Sequence, residues 1–281
     1  MSGGAERPTP DVMASTAPTL PLAPSVGELR SFRWDLADGA ATTVHVAEYP
    51  HRRVALRVVA LEEPEPLAAW CLRAGVGDAL VGGFFVTPVG TPLGELWTDG
   101  VRRLSVPFDP PLGPGRSCVA VDARRVRLDG RGRLPPAPRG DLLQAGPLLV
   151  RRGRAIVRDG DDPEGFSAGR AQFDSDICDG RHPRAALGLT RGRLLAVACE
   201  GRSRTEAGLT LGELAALMAS LGARRAINLD GGGSTALVHG GVLRNAPREA
   251  DEVEIPGGRP IATALAFLPA GGQPTGTAAA A

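Results

Sequence analysis

Alternation of apolar and polar positions dominates the chain and predicts mostly strands. "TTVHVAEY" alternates, and "RRVALRVVAL" follows with a β-branched face. "PEPLAAWCLRAG" changes period. Leu67, Trp70, Cys71 and Ala74 recur at helical spacing, with Pro near the start and Gly75 at the end. "DALVGGFFV" is a strand running into a glycine pair, and "GELWTDGVRRLSV" is a hairpin turning at Asp99-Gly100. "SCVAVDARRVRLDG" and "LLQAGPLLVRRGRAIV" supply further strands. From Arg158 to His182, Asp and Gly abound and apolar residues thin out, which predicts a long surface loop.

The pattern is clearest in the C-terminal third. "RAALGLTRGRLLAVACEGR" is a hairpin turning at Arg191-Gly192. "TLGELAALMASLGA" is a helix. Thr210 and Glu213 form its capping box, Leu214, Leu217, Met218 and Leu221 its apolar stripe, and Gly222 its end. "RRAINLD" is a strand, "STALVHGGVLRN" a hairpin turning at Gly240-Gly241, and "PIATALAFL" a last strand. The expectation is an α+β domain over residues 26–269, with a large mixed, mainly antiparallel sheet and a few helices. The Pro- and Ala-rich segment 1–25 and segment 270–281 read as disordered tails.

Composition narrows the classes. A formal net charge of +1 leaves no basic footprint for nucleic acid, so no nucleic-acid partner is expected. Every basic residue is Arg. Cys71, Cys118, Cys178 and Cys199 are scattered without a CxxC pair, which argues against a zinc site, and Cys71 and Cys199 sit in apolar runs as core thiols. No run approaches a membrane span, and the N-terminus lacks the pattern of a signal peptide. A cytoplasmic location is the expectation, and no cofactor is expected.

The chemistry concentrates in "INLDGGGSTALV". Asp230 ends an apolar strand and Gly231, Gly232 and Gly233 follow. Glycines bring backbone amides close to an anion, so this loop is read as a phosphate cradle beside a reactive carboxylate; a capped tight turn is the plain alternative. A walker-type loop needs a Lys that the chain lacks. Ser234 in "GGGSTA" resembles a serine-hydrolase elbow, but a strand follows where that elbow needs a helix. Glu200 ends the neighbouring strand "LLAVACE", so two strands end in acid-glycine, the minimal equipment for glycosidic cleavage. Arg184 opens the preceding strand and is a candidate phosphate ligand. Gly82, Gly83, Phe84 and Phe85 form a second close-approach segment whose aromatics could wall a sugar site or pack in the core. Asp174, Asp176 and Asp179 alternate in the long loop without the twelve-residue calcium pattern and are read as solvated; whether a metal is needed is left open. His182 is a candidate to line the same site.

In this order, the blocks "VGGFF", "QAGPLLV", "HPRAALG", "ACEGRSRTEAGLTLGELAALMASLGARRAINLDGGGST" and "GRPIATAL" resemble the phosphodiester glycosidase family over roughly Leu80 to Leu268. Its members include glycosidases that release N-acetylglucosamine from a phosphodiester and bacterial proteins of exopolysaccharide biosynthesis. The resemblance implies a glycoside hydrolase that cleaves a sugar-1-phosphodiester in a glycan or envelope polymer. Its implied catalytic acids are Asp230 and Glu200. The implied substrate-binding residues are Arg184, Arg202 and Arg259, which join the candidates read from the two glycine segments, Gly231, Gly232, Gly233, Ser234, Gly82, Gly83 and Phe84. Glu200 stands where the family usually has Asp. Val81, Val86, Ala185, Ala207 and Thr263 stand where it usually carries other, more polar or longer hydrogen-bonding residues. Those losses keep open a non-catalytic protein of the same fold that binds a sugar phosphate.

Overall fold

The computed structural model describes residues 21–108, 112–167 and 177–271. Both predicted tails fall largely beyond this range, and Asp174 and Asp176 lie outside the described residues. The fold is α+β, and its strands are divided among three main sheets in which every pairing of named strands is antiparallel. The first, seven-stranded, runs in the order Glu28–Asp35, Ala41–Pro50, Arg193–Cys199, Arg184–Leu189, Arg225–Asn228, Leu148–Arg151, Arg154–Ala155. The second, five-stranded, orders Val242–Leu243, Leu237–His239, Ala79–Val81, Pro260–Pro269 and Val54–Pro66. The third, also five-stranded, is built from Arg125–Gly130, Ser117–Asp122, Asp141–Gln144, Leu96–Thr98 and Val101–Arg102.

The central strands of the first sheet are buried on both faces, which is why "LLAVAC" reads as an unbroken apolar run. Leu194, Ala196 and Ala198 point into the core shared with the other two sheets. Leu195, Val197 and Cys199 point into a second core under the helix Leu211–Ser220. Period-2 alternation is therefore present as an alternation between two cores. The strand Glu28–Asp35 carries no such signal: it is an edge strand with a mostly exposed face, and its alternation is masked by charge.

The helix Leu211–Ser220 starts where its sequence demands. Thr210 Oγ1 accepts from the Glu213 N–H at 3.1 Å, and Glu213 Oε2 accepts from the Thr210 N–H at 2.9 Å. Glu213 also receives Arg181 Nε at 3.0 Å, so the start of the helix is tied to the segment that enters the functional site. The other helix, Leu67–Ala74, follows Pro66 without a side-chain cap and closes with Gly75 at φ +67°. Two of the predicted turns carry positive φ, with Asp99 at +54° and Gly100 at +75°, and Gly240 at +60° and Gly241 at +77°. Among the described residues no helix is long and apolar enough to cross a membrane.

Candidate active site

The strand Arg225–Asn228 ends beside the strand Arg184–Leu189, and the chain then turns out of the sheet at Leu229-Asp230. The Leu229 N–H still donates to Ala185 O, whereas the Asp230 N–H leaves for Gly82 O at 3.0 Å. Asp230 is thus held between the seven-stranded sheet and the sheet that contains Ala79–Val81. Gly232–Ser234 follows as a single 3₁₀ turn, and the strand Leu237–His239 comes next. A strand, not a helix, leads away from Ser234, which is the context expected to rule out a serine elbow.

These residues line a cleft of about 340 Å³ together with Phe84, Phe85, Ile177, His182, Arg184, Arg202, Asn228, Glu249 and Arg259. Burial pushes the Asp230 carboxyl up to about 6, against the opposing pull of the Ser234 hydroxyl, the Gly231 amide and the Arg259 charge. The Gly231 N–H donates to Asp230 Oδ1 at 2.9 Å. The Gly232 N–H donates to Pro183 O at 2.9 Å. Gly233 is left as the one glycine of the three whose amide has no acceptor among the described residues. The cradle therefore offers one free amide rather than three, and the rest of its positive charge comes from side chains. A Cβ on Gly232 would lie 3.0 Å from Arg202 Nη2, and one on Gly233 would lie 2.9 Å from Arg259 Nη2. Glycine at these positions lets two guanidinium groups close onto the backbone.

The sequence candidates divide into those that face the cleft and those that support it. Asp230, Gly231, Gly232, Gly233, Ser234, Phe84, Arg184, Arg202 and Arg259 line it. Arg184 is 3% exposed, and it donates to the carbonyls of Leu209, Ile177 and Gly180 at 3.0, 2.8 and 3.3 Å. It fastens the segment 177–182 beside the cleft, and burial lowers its guanidinium to about 10. Gly82 and Gly83 sit behind the cleft. The Gly82 N–H donates to Thr263 O and the Gly83 N–H to Thr263 Oγ1, both at 2.9 Å. The glycine pair brings two strands together and so places Phe84 at the rim, where it meets Phe166 edge-on at 5.6 Å.

Glu200 is the main relocation. Its carboxylate accepts from the Ala246 N–H at 3.0 Å and pairs with His45 Nε2 at 3.1 Å, and it does not line the cleft. A strand-end acid followed by glycine looks alike whether it faces solvent, a ligand or a neighbouring loop; here the loop 246–259 takes it. Glu200→Gln is expected to cost about 1–2 kcal/mol of stability and no more than about tenfold in any turnover, because a lost loop anchor is indirect. Denaturant unfolding read beside kcat/KM checks this, and a loss of turnover above a hundredfold would return Glu200 to the chemistry.

His182 does line the cleft. Its Nε2–H donates to Asp179 O at 2.9 Å. Burial and the nearby Arg184 and Arg202 charges push it down to about 4, so it is neutral at pH 7 and presents Nδ1 as an acceptor. Asn228 and Glu249 also line the cleft and carry no signal in the sequence. Asn228 donates Nδ2 to Gly146 O at 3.0 Å, and its buried Oδ1 has no partner among the described residues. Glu249 lies in the acid-rich stretch "READEVE", where one more carboxylate carries no signal. The departures from the family pattern do not hollow out the cleft: Val81, Val86, Ala185, Ala207 and Thr263 are all absent from its lining. Val81 and Ala185 are fully buried in the core, and the Thr263 hydroxyl serves the Gly83 amide.

A half-buried acid thus shares one cleft with Arg202, Arg259 and a glycine loop that keeps one amide free, an arrangement suited to an anion beside a titratable group. Comparison with known proteins states the class more closely. The phosphodiester glycosidase family model matches residues 75–268, and the chain belongs to that family. Among solved structures it is similar to the catalytic domain of zebrafish N-acetylglucosamine-1-phosphodiester alpha-N-acetylglucosaminidase, auto-inhibited by its pro-peptide. That match has 21% identity and a TM-score of 0.64, covering 91% of this chain and 85% of that one. It is also similar to a hypothetical protein from Synechocystis, at 19% identity and a TM-score of 0.59, covering 85% of this chain and 62% of that one. A third likeness, at 18% identity and a TM-score of 0.57, is to an exported protein from Burkholderia pseudomallei, covering 82% of this chain and 74% of that one. At these identities the structures speak for the fold. No curated protein matches the chain.

Proposed function

We propose that the chain hydrolyses a sugar-1-phosphodiester, breaking the bond between the anomeric carbon and the phosphate oxygen. The observation that carries this reading is the shared cleft: Asp230, raised to about 6, lies with Arg202, Arg259 and the Gly233 amide around one space. The bridging oxygen leaves with the bonding electrons as part of a phosphomonoester, and the oxygen of water ends on the anomeric carbon. The guanidinium groups hold the phosphate and stabilise the charge that grows on it. Asp230, as the carboxylate, faces the oxocarbenium-like centre and takes the proton of water, directly or after covalent attack. The activity for which the zebrafish relative is named, on an N-acetylglucosamine-1-phosphodiester, supports the same substrate class. A glycan or cell-envelope polymer is the proposed source of the phosphodiester.

The test is a panel of sugar-1-phosphodiesters, with free sugar and phosphomonoester measured as products and Asp230→Asn run beside the wild type. Binding of the panel without release, equal in both proteins, would make this a sugar-phosphate-binding protein instead. The pH dependence follows from the ionised form being the active one. kcat/KM should rise about tenfold per pH unit below about 6 and level off above it, with Asp230 as the titrating group. A profile flat from pH 4.5 to 7.5 would remove Asp230 from the base role.

A further inference from the structure

The carboxylate of Glu249 already sits in the anion cradle. Arg259 Nε donates to Glu249 Oε1 at 3.1 Å, and Arg259 Nη2 donates to its Oε2. Arg202 Nη1 stands 4.0 Å from Oε2. The point where Gly233 would carry a Cβ lies 3.0 Å from Glu249 Oε1 and 2.9 Å from Arg259 Nη2. Two guanidinium groups thus converge beside the glycine loop, where an acidic side chain of the protein is placed. Its position is built. The Glu249 N–H donates to Val253 O at 3.0 Å, Arg202 Nη1 donates to Arg248 O at 3.0 Å, and Arg248 pairs with Glu254 at 2.8 Å. Glu200 fastens the base of the same loop through Ala246.

Resting on the proposed reading of the cleft as a phosphodiester site, we propose that Glu249 sets which charge of phosphate the site retains, admitting the monoanionic diester and rejecting the dianionic monoester. Arg202 and Arg259 with Glu249 carry one net positive charge; the Asp230 carboxylate, ionised at pH 8, adds a repulsion that is common to wild type and Glu249 variants. A phosphodiester brings one negative charge and neutralises the net positive one. Hydrolysis turns that group into a phosphomonoester, whose second ionisation lies near pH 6, so at pH 8 it carries two. The second charge has no counterpart while Glu249 stays, and the product is repelled. Glu249 thereby discriminates substrate from product by charge alone, at atoms that take no part in bond cleavage. Because the carboxylate is 39% exposed, solvent screens the effect to a modest factor per unit charge.

Calorimetric titration at pH 8 and low salt tests this with dimethyl phosphate as the monoanion and methyl phosphate as the dianion. Removing one negative charge should tighten a monoanion by some factor and a dianion by about its square. Glu249→Gln is therefore expected to tighten dimethyl phosphate about 3-fold and methyl phosphate about 10-fold, while Glu249→Asp keeps the wild-type ratio. A structural role would move both anions alike, so an unchanged ratio in Glu249→Gln overturns the proposal and leaves the phosphate site standing. If neither anion binds wild type or Glu249→Gln, the reading of the cleft as a phosphate site falls as well.

Discussion

Asp230→Asn should abolish turnover and stabilise the fold at the same time. The first effect, about a thousandfold or more in kcat/KM, follows from removing the only acid at the end of the glycine-loop strand that faces the cleft. The second follows from the sign of its titration. The folded carboxyl is raised from an ordinary 3.8 to about 6 by burial, so the fold disfavours the ionised form. Its contribution is fully present below pH 4, is lost as pH rises through 6, and above that the charged group opposes folding. Two pKa units amount to about 2–3 kcal/mol, and a neutral Asn escapes this cost while keeping an oxygen for the Gly231 amide. The melting temperature at pH 7.5 should then rise by roughly 5 °C or more, and at pH 4 the two proteins should melt together. Asn melting at or below the wild type at pH 7.5 would show that the carboxylate is comfortable there and its shift small. A residue kept at the expense of stability is kept for what it does.

The second large effect is structural. Gly82→Ala should cost about 3 kcal/mol or more and take the activity with it. The new Cβ would lie 2.4 Å from Thr263 Oγ1 and 2.8 Å from the Thr263 carbonyl carbon and oxygen. A side chain could rotate away, but the peptide group cannot move without breaking the Gly82 N–H bond to Thr263 O. Removing that hydroxyl by Thr263→Ala should therefore rescue little, because both peptide contacts stay. Denaturant unfolding of the single and double variants measures both. A cost below 1 kcal/mol would mean that the two strands separate easily and that the glycine is not required by close approach.

Much of this was legible from periodicity and from residues whose backbone demands are specific. The hairpin at Asp99-Gly100 was visible because positive φ at two successive positions selects those residues, and the helix Leu211–Ser220 because its capping box and stripe agree. The Asp230 loop was visible because three glycines after a strand-end acid are hard to explain as packing. What was hidden depends on partners far along the chain. Nothing local says that Glu200 turns to Ala246, that Arg184 spends its donors on three carbonyls, or that the Gly232 amide is already taken by Pro183. The division of the strands among three sheets is hidden for the same reason: alternation fixes faces, not neighbours.

The bond from the Asp230 amide to the Gly82 carbonyl ties together segments far apart along the chain and from two different sheets. The Asp230 carboxylate reaches its position only when those sheets have docked, and closing so long a loop belongs to the slow part of folding. During refolding, far-ultraviolet circular dichroism should therefore recover ahead of hydrolysis, with no partly active species between. The proposed hydrolysis would then report completed assembly of the molecule.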